Sequence, residues 1–253
     1  MTLKSVNNDS TQLSDNNHIV AANIEKKSRM QICKMKEEFL LTPEELDERK
    51  IIYASCSNYK TLNDYRELRT KLLKVSNNNN FICMISSINP DAGTTSIAIN
   101  LAASIALDRS KTAVIIDCNI HASELNNYFK VTPRLGLTNF LAQDTDDMEE
   151  IIYPSGIPRV RMIPVGIRTE HAAEYFSSEK MELFMARIKQ RYPDRFIILD
   201  APPIGLYAEG QILASLCDFA ILVVRYGQSN TAQVQAGIDI ISTDKLAGLI
   251  FNN

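Results

Sequence analysis

The chain has 253 residues, of which 45% are hydrophobic and 23% charged, with a net charge of −3 and a pI near 5.7. That is enough apolar chain for one large α/β domain or two small ones. The acidic balance leaves no basic footprint and speaks against a nucleic-acid partner. The first residues, MTLKSVNNDSTQLSDNN, contain no apolar run and do not read as a signal peptide. The longest near-apolar stretch, residues 97–107, carries Asn100 and Ser104 and is too short to span a bilayer. A cytoplasmic protein is expected, docking on a membrane only through a partner. The five cysteines, at 33, 56, 83, 118 and 217, form no CxxC pair. Cys83 and Cys118 stand inside apolar runs, where a buried reduced thiol is expected.

Residues 1–28 are rich in Asn, Ser, Asp and Lys and are expected to form a flexible tail. Residues 29–41 have the pattern of a short amphipathic helix. The folded domain is expected over residues 42–253. At Thr42-Pro43-Glu44-Glu45 a capping box with Pro at the first helical position predicts a helix to about Lys50. Leu62, Tyr65, Leu68, Leu72 and Leu73 predict a second helix over residues 60–74. A polar linker, residues 76–80, follows. From Phe81 onward, apolar strands are expected at 81–86, 112–117, 160–165, 195–200, 219–224 and 246–251. Helical patterns lie between most of them, at 95–107, 172–191, 208–217 and 230–242. Such alternation specifies an α/β fold, a mostly parallel doubly wound sheet with helices on both faces.

Ligands of such sheets bind at the carboxyl ends of the strands, which directs attention to three junctions. After the first strand the chain reads Ser86-Ser87-Ile88-Asn89-Pro90-Asp91-Ala92-Gly93-Thr94-Thr95-Ser96 and then a helix. A strand, a turn and a helix N-terminus are the parts of a phosphate-binding loop. Gly93 permits close backbone approach, and Thr95 stands where a hydroxyl would touch Mg²⁺. The lysine place of the usual pattern is Thr94, which has no positive charge, and the first glycine is replaced by Ile88. Taken alone, the loop is equally a strand–turn–helix junction capped by a threonine. The runs ending in Asp117 and Asp200 each add a carboxylate at a strand end, as Mg²⁺ sites of nucleotide hydrolases require. Either one alone also fits a helix cap; three such junctions in this chain order favour the nucleotide site.

The blocks ELRTKLL (67–73), SSINPDAGTTS (86–96), VIIDCNIHASEL (114–125), AEYFSSEKM (173–181) and FIILDAPPI (196–204) carry a resemblance. Over roughly residues 42–253 the chain resembles the bacterial tyrosine kinases of polysaccharide assembly, the CpsD/CapB-like group, within the wider MinD/ParA-like P-loop ATPases. The resemblance implies a P-loop fold, ATP and Mg²⁺ as cofactors, and an inner-membrane polysaccharide chain-length regulator of the Wzz type as partner. It implies nucleotide contacts at Ala92, Gly93, Thr94, Thr95, Ser96 and Asn252, with Asn252 near the base. Mg²⁺ falls to Thr95, Asp117 and Asp200, and Asp117 takes the catalytic place. The helix before the core keeps the two arginines of the family's Glu-x-x-Arg-x-x-Arg, with Asn63 in place of Glu, which implies homo-oligomer contacts at Arg66 and Arg69; the two equally fit the solvated face of a helix.

The chain departs from that family at points of chemistry. Thr94 replaces the loop lysine, and Asn119 and His121 replace the second Asp and the Arg of Asp-x-Asp-x-Arg. The C-terminal tyrosine cluster is missing; the last tyrosine is Tyr226. A charge-assisted hydrogen bond is worth about 1.5–3 kcal/mol, so the lost lysine weakens nucleotide binding roughly ten- to a hundredfold. Phosphoryl transfer suffers more, because charge grows on the phosphoryl oxygens. The expected function is a kinase-like regulator of exopolysaccharide assembly with weak or absent catalysis. One alternative is an active tyrosine autokinase in which Lys111, Arg225 or a neighbouring subunit's arginine replaces the lysine. Another is a MinD/ParA-like positioning ATPase, although Asn89 stands at that group's signature lysine. His121 is expected in a solvated turn, with a phosphate contact as the alternative.

Overall fold

The computed structural model describes residues 37, 39–129, 131–191 and 194–252. The expected tail, His18, Cys33 and most of the helix expected at 29–41 lie outside the described residues. The last described residues of that segment are not helical. There the chain is tied to neighbours instead: Leu41 N–H donates to the Gly156 carbonyl at 2.9 Å, and Glu37 Oε1 accepts the Arg159 N–H at 2.8 Å.

Helix α1, Pro43–Glu48, begins with the expected capping box: Thr42 Oγ1 accepts from Glu45 N–H, and Glu45 reaches back to Thr42 N–H. Helix α2 runs over Tyr59–Val75 with Asn58 as its side-chain cap. The alternating region follows as β1 Ile82–Ser87, α3 Thr94–Ala106, β2 Thr112–Asp117, α4 Leu125–Tyr128 and α5 Leu137–Leu141. A 3₁₀ turn, Met148–Ile151, leads to β3 Tyr153–Pro154 and β4 Val160–Ile163. Then come α6 Ala172–Phe176, α7 Glu179–Arg191, β5 Arg195–Asp200, α8 Ala208–Leu216, β6 Phe219–Arg225, α9 Thr231–Ile241 and β7 Leu246–Asn252.

The seven strands lie in the order β3-β4-β2-β5-β1-β6-β7, parallel throughout except for the β3–β4 pair. The expected helix 172–191 is broken at Ser177-Ser178, because the Ser178 hydroxyl accepts the Met181 N–H and starts a new helix. The expected strand 160–165 stops at Ile163, since Pro164 has no N–H to give a ladder.

Side chains alternate between two cores. Cys83, Ile85, Ala113, Ile115, Phe196 and Ile198 pack beneath α1, α2 and α3. Met84, Val114, Ile116, Ile197 and Leu199 pack against α5 to α9. Strands buried on both faces therefore read as continuous apolar runs rather than alternating ones. Cys56, Cys83, Cys118 and Cys217 are buried free thiols. No helix among the described residues is long and apolar enough to cross a membrane.

The polar residues inside apolar α3 fasten the N-terminal helices. Asn100, fully covered, accepts the Ile52 N–H at 2.8 Å and donates to the Lys50 carbonyl at 3.0 Å. The Ser104 hydroxyl donates to the Tyr65 carbonyl, and Arg69 donates to the Ser104 carbonyl at 2.7 Å. Replacing Asn100 by Leu strips partners from two main-chain groups at once. The expected loss is about 2–3 kcal/mol, read as a lower urea midpoint. An unchanged midpoint would show that this link contributes nothing.

Candidate functional site: a phosphate loop over two buried aspartates

Strands β2, β5 and β1 are immediate neighbours, so their carboxyl ends meet. Asp117 and Asp200 are register partners, and Ile85 of β1 is the partner of Asp200 on the other side. With strands about 4.8 Å apart, the three junctions singled out in the sequence must share one edge of the sheet.

The loop between β1 and α3 is pinned from the far side. Asn89 Nδ2 donates to the Gln228 carbonyl and the Ser229 hydroxyl, and Arg225 donates to the Asp91 carbonyl at 2.7 Å. Asn252, at the end of β7, donates from Nδ2 to the Ala92 carbonyl at 2.8 Å. Gly93 then turns the chain with φ +83°, a region that favours glycine. It also caps α3 without any side-chain hydrogen bond. The first N–H groups of this long helix are left to face the cleft, a ready anion site at the positive end of the helix dipole.

Behind the loop lie the carboxylates. Asp200 is wholly buried; its Oδ2 accepts the Thr95 hydroxyl at 2.6 Å, and its Oδ1 has no hydrogen-bond partner. Asp117, equally buried, accepts the Asn119 N–H at 3.0 Å and the Ser123 hydroxyl at 2.6 Å. Burial pushes both carboxyls above the usual range, and the Asp117 charge pushes Asp200 further; the Thr95 and Thr94 hydroxyls offset only part of this. The pair holds a proton where an exposed aspartate would not. A bound cation would replace that proton.

The residues present fit Mg²⁺ completed by phosphate oxygens and water. An orphaned carboxylate oxygen, a second carboxylate and a threonine hydroxyl converge. Among the described residues no group of three or more His, Cys, Asp or Glu side chains is arranged to hold a metal by itself. Mg²⁺ commonly takes one or two carboxylates and leaves the rest of its shell to phosphate and water.

In front of the loop is a cleft with about 500 Å³ of empty volume. One wall is the loop, Pro90 to Thr95; the other includes Asn119, His121, Glu124 and Tyr207. His121 lies in an exposed bend, as expected, but is not without partners: its ring stacks on Tyr207 at 3.7 Å between centroids, and Nε2 lies 3.3 Å from Glu209 Oε1. Lys111 lies at the start of β2, the opposite strand end, where it pairs with Asp108 at 2.9 Å. It is no substitute for the loop lysine. Arg225 bonds the carbonyl of Asp91, a lining residue, without being part of the lining itself. On α2, Arg66 approaches Asn63 at 3.4 Å while Arg69 bonds the end of α3.

Sequence reasoning missed Ser123, Tyr207 and Glu209. Ser123 lies inside the block 114–125, whereas Tyr207 and Glu209 lie outside every such block. The signal for Glu209 is its place as the one acid of the mainly apolar helix AEGQILASL.

A glycine-turned loop at a helix start, set over two strand-end aspartates on a parallel sheet, defines a P-loop type of nucleotide-binding fold. A scan against protein-family models returns no match. The chain is 30% identical over 196 residues to the tyrosine-protein kinase CpsD of Streptococcus agalactiae, spanning 76% of this chain and 83% of that one. It belongs to the CpsD family of bacterial tyrosine-protein kinases. The kinase domain of the Escherichia coli tyrosine kinase ETK superposes with a TM-score of 0.70 at 22% identity, covering 85% of this chain and 88% of that one. The septum site-determining protein MinD of Pyrococcus horikoshii, complexed with Mg-ADP, gives a TM-score of 0.54 at 22% identity, covering 67% and 68%. Both show the fold.

Proposed function

We propose that this chain binds ATP–Mg²⁺ weakly and acts as a kinase-like regulator of exopolysaccharide assembly, with little phosphoryl transfer of its own. The observation that carries this reading is the mismatch within one site. The aspartate pair, Thr95 and the helix start are in place, yet the loop offers Thr94 where a cation is needed. In this reading the backbone from Ala92 to Ser96 cradles the phosphates. Thr95, Asp117 and Asp200 would hold Mg²⁺, which supplies positive charge against the phosphate oxygens. Asn252 keeps the loop open through Ala92, close to where a base would sit. Asp117, partnered by Asn119 and Ser123, takes the catalytic place in this reading.

The partner in this reading is an inner-membrane chain-length regulator, with residues 42–253 as the nucleotide-binding domain and Arg66 and Arg69 at a contact between copies. The family membership supports the assembly context. A calorimetric titration of ATP–Mg²⁺ tests the site: weak binding is expected, and Thr94→Lys should tighten it roughly ten- to a hundredfold. No saturable binding by either protein would overturn the nucleotide reading. Incubation with radiolabelled ATP tests the weak catalysis, which strong tyrosine labelling would overturn.

A further inference from the structure

We infer that His121, oriented by Glu209 and stacked on Tyr207, is a direct contact for the nucleotide's polyphosphate and supplies the positive charge that the loop lacks. The inference rests on the nucleotide reading above and adds the residue that makes such binding possible without a loop lysine.

The argument begins with charge. The cleft is lined by Asp91 and Glu124 and floored by Asp117 and Asp200, while Thr94 contributes only a hydroxyl. Among the described residues of its lining, His121 is the one side chain able to carry positive charge. A polyphosphate entering this cleft with one Mg²⁺ meets an excess of negative charge, to which Glu209 beside His121 adds, and a cationic side chain in the lining would reduce it.

Geometry gives the same assignment. Nε2 faces the Glu209 carboxylate, itself nearly covered, and the Tyr207 ring lies parallel to the imidazole at an interplanar angle of 11°. Two contacts from the start of α8 thus fix both the plane and the rotation of a side chain borne by the β2–α4 connection. About a third of the His121 side chain stays open to solvent, so the ring is held from one side and accessible from the other. Nδ1 has no hydrogen bond among the described residues; with Nε2–H given to Glu209, it becomes a second donor only in the doubly protonated ring. With Nε2 engaged by Glu209, Nδ1 is the ring nitrogen left to meet a polyphosphate. Glu209 and Tyr207 are positioning residues; His121 is the binding residue.

The experiment is a calorimetric titration of ATP–Mg²⁺ into the full-length chain and its variants, with thermal melts to verify folding. His121→Ala should weaken binding about tenfold, the worth of one charge-assisted hydrogen bond. His121→Gln, which can keep a neutral link to Glu209, should lose as much. His121→Arg should stay within about threefold of the parent, since only charge is being asked for. Glu209→Gln should weaken binding and narrow the gap between parent and His121→Ala backgrounds in a double-mutant cycle. Should the parent bind ATP–Mg²⁺ while His121→Ala and His121→Gln bind it equally well, the assignment of His121 falls and the nucleotide reading stands. Should the parent and Thr94→Lys both fail to bind, the nucleotide reading falls and takes this one with it.

Discussion

Asp200→Asn is expected to give a protein that is more stable than the parent and blind to ATP–Mg²⁺. Both effects come from one fact: Asp200 is a wholly buried carboxyl whose nearest charged neighbour is another buried carboxyl. Desolvation and the Asp117 charge raise its pKa in the folded state, so the unfolded chain gives up its proton first as pH rises. Stability therefore falls from the ordinary aspartate pKa of about 3.9 upward, through the raised pKa of the pair. Asparagine keeps an oxygen for the Thr95 hydroxyl but removes the charge. The variant should gain about 1–2 kcal/mol at pH 7, with a flatter stability profile between pH 5 and 8. Thermal melts across that range measure it. Added ATP–Mg²⁺ should raise the melting temperature of the parent by mass action and leave the variant unmoved. A variant less stable than the parent, or one still shifted by ATP–Mg²⁺, would remove Asp200 from the cation site.

Such opposition between stability and binding explains which parts of the molecule were legible from sequence. The strands at 112–117 and 195–200 and the capping box at Thr42 are local matters: an unbroken apolar run, or four residues with the right side chains, decides them. The three junctions were legible because each motif ends a strand, and strand ends of a parallel sheet lie on one edge. Their adjacency needed the strand order, which puts β5 between β1 and β2 although it comes late in the chain. The break at Ser178 hides because its residues fit a helix; only the hydroxyl bond to Met181 N–H shows where the axis restarts. The contacts of His121 were hidden for a related reason. Its partners, Tyr207 and Glu209, are more than eighty residues away in sequence, and no local pattern marks a stacked ring. Glycine at 93 announced a tight approach, but not that the approaching group is Asn252 from the final strand.

That contact sets up the second large effect. Gly93→Val is expected to lower stability by about 3 kcal/mol and to abolish ATP–Mg²⁺ binding. The backbone φ of +83° is one that a β-branched residue adopts only under strain of about 1–3 kcal/mol. A Cβ there would also stand 2.5 Å from Asn252 Nδ2, inside contact distance. Asn252 can swing away, but the Ala92 carbonyl then loses its donor, at about 1 kcal/mol more. The two terms separate experimentally. Asn252→Ala removes only the hydrogen bond, so it should lower the urea midpoint by about a third as much and weaken nucleotide binding without abolishing it. Gly93→Val does both and also turns the first N–H groups of α3 away from the cleft. If Gly93→Val matched Asn252→Ala in stability and still bound ATP–Mg²⁺, the left-handed turn would be incidental. The phosphates would then be held by the opposite wall alone, where His121 stands.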